Sequence, residues 1–246
     1  MLVKKMLYIF ALLGLFYSCG VLPEQNSYET TSNEVELGVL GDKKKSIYKT
    51  SFETSGIPEY LEFIKVSIEE KSFTKSIFKA YEKATKGKKK SQKVVYIDSI
   101  EIKPKFFDLS IDDKALIVES LNNYDNLGVR NYIKNIPTTK IVSALRIIAN
   151  NDVKEQLKRS DALYFRTNQQ KQQRIYLFKN GKQTGILDLS NTTIFGIKLA
   201  SFCWEITEDE KIKIATIVSD GENCTTGSKR DPKRLEQQLE KSFFKF

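Results

Sequence analysis

The spacing of hydrophobic and polar positions divides the chain into stretches of different rhythm. From Met6 to Tyr17 every residue is apolar, aromatic or glycine, and Lys4 and Lys5 precede the run, which is the layout of an export signal. As a helix, about a dozen residues rise only ~18 Å against a hydrocarbon core of ~30 Å, too short to span it. From Gly20 to about Ser55 the residues are mostly polar and carry no sustained period. This predicts a flexible tether with a reach of roughly 30 to 35 Å. A short strand or partner-binding segment around Val35 to Leu40 is the alternative there.

The next hundred residues read as mainly helical. Pro58 opens a stretch with Leu61, Ile64 and Ile68 at spacings of three and four, and Phe73, Ile77 and Tyr81 follow four apart, ending before Gly87. Lys93 to Ile102 alternates, with Val94, Tyr96, Ile100 and Ile102, and reads as a strand closed by Pro104. Helices are then expected from Ser110 through Leu121, from Val129 to Ile136, from Thr138 or Thr139 along Ile141, Val142, Leu145 and Ile148, and from Asp152 to Leu157.

From Asp161 the period becomes two. Ala162 to Phe165 predicts a strand, and Arg174–Lys179 and Lys182–Leu189 predict a hairpin joined at Asn180-Gly181, residues that tolerate positive φ. The polar stretch Arg166 to Arg174 between them reads as a hairpin tip or mobile loop able to contribute to a ligand surface. Thr192 to Ile206 predicts one long or bent strand with Gly196 marking a bulge or turn. Ile212 to Val218 completes the pattern, and Asp231-Pro232 starts a helix carrying Leu235, Leu239 and Phe243. The expected fold is therefore α+β: an N-terminal helical region (56–160), an antiparallel meander of about four to five strands (161–220), and a C-terminal helix (231–244) packed on the sheet. Residues 1–18 would be the signal, 19–55 an acylated cysteine and tether, and 56–246 a single globular domain.

Composition narrows the chemistry. The chain has 246 residues with 40% hydrophobic and 29% charged residues, enough to build a core. Its formal charge is +9, and removing Lys4 and Lys5 with the signal leaves +7. That surplus favours acidic partners such as anionic headgroups, acidic polysaccharides or acidic protein surfaces, and export argues against nucleic acid. The chain contains no histidine, which removes the commonest general base and metal ligand together. No carboxylate constellation is readable either, so no metal or cofactor site is expected, and an enzyme using carboxylates or a cysteine nucleophile stands only third, behind a binding module and an envelope accessory protein.

The densest positive charge is Lys83, Lys86, Lys88, Lys89, Lys90 and Lys93. Such a cluster can hold sulfate, phosphate or acidic side chains, or simply form a solvated loop. Of the three cysteines, assigning Cys19 to acylation leaves Cys203 and Cys224. They are either a disulfide or a buried Cys203 with a separate loop Cys224, and the sequence favours neither.

Ser18-Cys19 at the end of the apolar run resembles the lipobox of bacterial lipoproteins, although Phe16 and Tyr17 stand where that pattern prefers Leu and a small residue. With the polar stretch, the basic domain and the Lys-, Ile- and Asn-rich composition, the layout is similar to outer-surface lipoproteins of Borrelia spirochaetes. The resemblance implies cleavage before Cys19, N-terminal acyl chains in the outer membrane and a surface-exposed domain that binds a host protein or acidic polysaccharide. An accessory protein facing the periplasm is the alternative, and the resemblance supplies no functional residues.

Overall fold

The computed structural model describes residues 28–31, 35–45, 50–88 and 91–243. The stretch read as an export signal and Cys19 lie outside these residues, as do Lys89 and Lys90. Among the described residues the strands are β1 (Glu29–Thr30), β2 (Leu40–Lys45), β3 (Thr50–Gly56), β4 (Ile64–Ser72), β5 (Lys105–Ile111), β6 (Lys140–Ala149), β7 (Ala162–Thr167), β8 (Gln173–Lys179), β9 (Lys182–Leu187), β10 (Thr192–Ile206) and β11 (Ile212–Ser219). The helices are α1 (Lys75–Thr85), α2 (Lys114–Asn122), α3 (Leu127–Asn135), α4 (Asn151–Arg159) and α5 (Pro232–Phe243). All eleven strands join one antiparallel sheet, which overturns the expected helical first half followed by a four- to five-strand meander.

The hydrogen-bonded order is β10-β6-β5-β4-β7-β8-β9, with β1 and β11 also pairing β10 and the β2–β3 hairpin meeting β6 at Leu40 and Gly41. The strands expected as a consecutive meander are thus split. β7, β8 and β9 pair in sequence, but β10 leaves them to pair with β6 at the other end of the order.

Three segments expected to be helical or disordered are strands. β4 buries Ile64 and Val66 while Lys65 and Ser67 face water, so the same aliphatics that fit a helical spacing also fit a period of two. β6 is buried along nearly its whole length on both faces; a strand with no polar face has no alternation to read. The stretch read as a tether contributes β1, β2 and β3, and Val35, Leu37, Val39 and Leu40 are buried in the core. Tyr60 donates from its hydroxyl to the Gly38 carbonyl at 2.7 Å, which fixes this segment inside the fold. Conversely, the strand expected over Lys93–Ile102 is an irregular segment outside the sheet, with a turn at Asp98–Ser99.

Several local expectations match the structure closely. The β8–β9 hairpin turns at Asn180 (φ 50°) and Gly181 (φ 72°), and the β10 register shifts between Ile194 and Gly196. The helices expected to start at Ser110 and Asp152 are capped elsewhere, by the side chains of Asp113 on α2 and Asn150 on α4. Ser110, expected to start α2, instead belongs to β5.

The two sheet faces are covered differently. On the inner face Phe107, Leu109, Leu145, Ile147, Phe165 and Trp204 belong to the main core with α2, α4 and α5. Asn122 at the end of α2 exchanges two hydrogen bonds with the backbone of Ile214 in β11, at 2.8 and 3.1 Å, tying helix to strand. On the outer face α1 lays Ile77, Tyr81 and Ala84 over Phe73, Phe106, Ile148 and Phe195, a second cluster rich in ring-edge packing.

Candidate functional site

β9, at one end of the sheet order, runs through a 3-10 turn at Leu189–Asn191 directly into β10, near the other end. β9 and β10 are nevertheless not hydrogen-bonded neighbours. The space between them is a cavity of about 760 Å³, within the size range of small-molecule sites.

Its apolar wall comes from separated pieces of chain. Val35, Leu37 and Val39 arrive from the segment before β2, Phe165 and Ile175 from β7 and β8, and Leu187 and Ile194 from either side of the turn. Glycine at position 38 lets the first segment pass close to the wall. Its φ is +79°, and a Cβ there would lie 2.9 Å from Phe165 Cε2.

Polar residues make up half of the lining and include two bases, Lys88 and Arg174, and two acids, Glu36 and Asp188. Arg174 of β8 and Lys88 line the cavity, and Lys88 Nζ also donates to the Ile194 carbonyl at 3.4 Å. Glu36 lies opposite Arg174; burial pushes its carboxyl above the usual glutamate range, although the Arg174 charge and the Gln173 backbone N–H pull it down. Gln173 is 8% exposed. Its Nε2 donates to the Pro58 carbonyl at 3.2 Å, and its Oε1 is buried with no hydrogen-bond partner among the described residues. Rotating the amide would set oxygen against the Pro58 carbonyl oxygen, so the unmet acceptor is a property of the site. Leaving such a group unsatisfied costs about 1–3 kcal/mol.

The residues singled out in the sequence are distributed over the fold. Lys83, Lys86 and Lys93 are exposed beside the C-terminal end of α1 and form no ion pair among the described residues, and Lys88 is turned toward the cavity. Lys89, Lys90 and the proposed acylation residue Cys19 lie outside the described residues. Cys203, fully buried in β10, is joined to Cys224 by a disulfide with Cα atoms 5.7 Å apart. Among the described residues no cluster of acidic or cysteine side chains is placed to hold a metal ion, and no helix is long and apolar enough to cross a membrane.

Sequence reasoning missed Glu36 and Gln173. Glu36 sits in the stretch read as a tether, and Gln173 looked like one of several loop glutamines. The available signal was Val35, Leu37 and Val39 at alternate positions, with Glu36 and Gly38 between them. Compared with known proteins, the chain matches no family model, no curated protein and no solved structure.

Proposed function

We propose that the chain is an acyl-anchored lipoprotein of the bacterial outer membrane, held through Cys19, whose exposed domain is a non-catalytic binding module. Its ligand is a small apolar molecule bearing an acidic group. The cavity between β9 and β10 carries this reading: about half of its wall is aliphatic or aromatic, and Arg174 and Lys88 stand in it beside the acids Glu36 and Asp188, of which Glu36 is held toward its neutral form by burial. The Gln173 Oε1 is buried beside this wall with no hydrogen-bond partner among the described residues, an acceptor that a ligand's hydroxyl or amide reaching it would meet. Apolar enclosure with a small number of convergent polar groups is the usual construction of a small-ligand site.

The test is titration of the protein with a fluorescent apolar sulfonate, followed by displacement with long-chain carboxylic acids. One saturable site is expected, with Arg174→Gln weakening it about tenfold, the size of a charge-assisted hydrogen bond. Leu189→Trp, which places an indole at the cavity wall, should abolish displacement. Identical titrations for all three proteins would refute the cavity as the site.

An enclosed apolar site also suits an accessory protein that carries cargo while facing the periplasm. Protease treatment of intact cells separates the two orientations, since a periplasmic domain survives it.

A further inference from the structure

The extended segment that follows α1 exposes an apolar surface. Val95 is 77% exposed and Ile102 86%, with Ile97 and Ile100 close to half. The segment is nevertheless held firmly from beneath. Tyr96 stacks on Phe78 of α1 at 5.1 Å between ring centroids, Val94 packs on the same outer cluster, and the Tyr81 hydroxyl donates to the Gln92 carbonyl. Lys103 donates to the carbonyls of Ile97 and Asp98, at 3.0 and 2.5 Å, closing the turn between them. Four aliphatics are therefore presented to solvent by a segment whose alternate residues anchor it. Patches of this kind mark interaction sites.

The surroundings identify the partner's chemistry. Lys75, Lys79, Lys83, Lys86 and Lys93 are exposed around the aliphatics, against three exposed carboxylates, Glu82, Asp98 and Glu101. Asp98 is already 3.8 Å from Lys75. Apolar side chains ringed by lysines match the boundary between anionic headgroups and acyl chains.

The course of the chain points to the same face. Tyr28, Glu29 and Thr30 share a small cleft with Ser76, Ile77 and Ala80 of α1, so the described chain begins beside the lysine-bearing helix. Only residues 20–27 separate Tyr28 from Cys19, a span of about 30 Å even when fully extended.

We propose that α1 and the segment 93–103 form a membrane-apposed face that seats on anionic lipid, with Val95, Ile97, Ile100 and Ile102 entering the headgroup boundary and the surrounding lysines meeting its charge. The proposal rests on the acyl-anchored reading above. It also orients the domain, because the face nearest the anchor is laid against the bilayer.

The full chain is reconstituted on vesicles of phosphatidylcholine with or without phosphatidylglycerol, some containing brominated acyl chains, as the variants Ile102→Trp and Leu127→Trp. Leu127 is partly exposed on α3, away from this face, and the native Trp204 is buried and common to both. On anionic vesicles the indole at position 102 should shift to the blue and lose at least half its emission to bromine, while that at position 127 should not. Lys83→Glu, Lys86→Glu and Lys93→Glu together should weaken this quenching about tenfold in lipid titrations. Failure of the chain to sediment with any vesicle overturns both the anchor and the face. Sedimentation with an unquenched indole at position 102 overturns the face alone. Equal quenching on zwitterionic vesicles overturns the assignment to anionic lipid. A blue shift that grows with protein concentration in detergent, without bromine quenching, assigns the face to a second copy of the chain and overturns the proposal.

Discussion

Arg146 holds Asp108 through two parallel hydrogen bonds, Nε to Oδ1 at 2.8 Å and Nη2 to Oδ2 at 3.0 Å, and both side chains are less than a tenth exposed. The pair bridges β5 and β6 on the outer face, where Asp108 and Arg146 are register partners. Lys71 approaches Asp108 at 3.5 Å, and the Tyr28 ring lies 3.8 Å from the guanidinium carbon. Burial and the Asp108 charge raise the Tyr28 hydroxyl well above the ordinary tyrosine range, so it stays protonated as a donor to Asp108. Removing one member of a buried pair leaves the other charge uncompensated, at a cost of about 3–5 kcal/mol. Asp108→Ala should lose that much in urea unfolding, and Asp108→Leu combined with Arg146→Met should recover most of it. A double variant as unstable as the single one would contradict this account.

The Cys203–Cys224 disulfide closes a loop with a sequence separation of 21. Restricting a loop of that length in the unfolded chain contributes about 3 kcal/mol. Cys224→Ser, which leaves the buried Cys203 in place, should lower unfolding stability by about 2–4 kcal/mol. The same loss should appear in the wild type under reductant and not add to the variant's.

Gly38→Ala should be among the costlier single-methyl additions. The residue adopts φ +79°, and its new Cβ would lie 2.9 Å from Phe165 and 3.0 Å from Tyr60. Left-handed strain and overpacking together cost about 2–4 kcal/mol. Thermal unfolding measures this, and Gly221→Ala, with open space around it at φ +93°, provides the comparison in which strain acts alone.

Glu36 gives a pH signature. Its carboxyl is raised in the fold mainly by burial, with Arg174 and the Gln173 N–H opposing. Its stabilising contribution is therefore complete below the unfolded value of about 4.3 and is lost as pH rises through the folded value. Glu36→Gln should match the wild type at pH 4 and exceed it at pH 7 in denaturant midpoint. A variant less stable than wild type at pH 7 would mean that the Arg174 attraction outweighs burial.

The sequence was most legible where one sheet face meets water or where turn chemistry is local. Asn180-Gly181 and the bulge before Gly196 each depend on neighbours within a few residues. β6 was unreadable because both of its faces are covered, leaving Ile141, Val142, Leu145 and Ile148 equally consistent with a helix stripe. β2 and β3 were hidden because their polar residues lie on a hairpin projecting from the sheet, where Lys44 pairs with Glu53 at 2.5 Å. The cavity was beyond sequence patterning for a different reason. Its walls come from residues 35–39, from β7 and β8, and from the start of β10, and they meet only because β10 returns to β6. Gln173 becomes chemically distinctive only when Pro58 has occupied its Nε2.

The seating of Tyr28 on Arg146 bears on how the molecule would carry a mechanical load. β1 pairs with Ile197 and Gly196, inside the longest strand, and Arg146 faces it from the neighbouring β6. Tension applied through the residues preceding Tyr28 therefore reaches the sheet at the β10 end of its order. It is shared between the short β1–β10 pairing and the ring of Tyr28 seated on the buried Arg146–Asp108 pair.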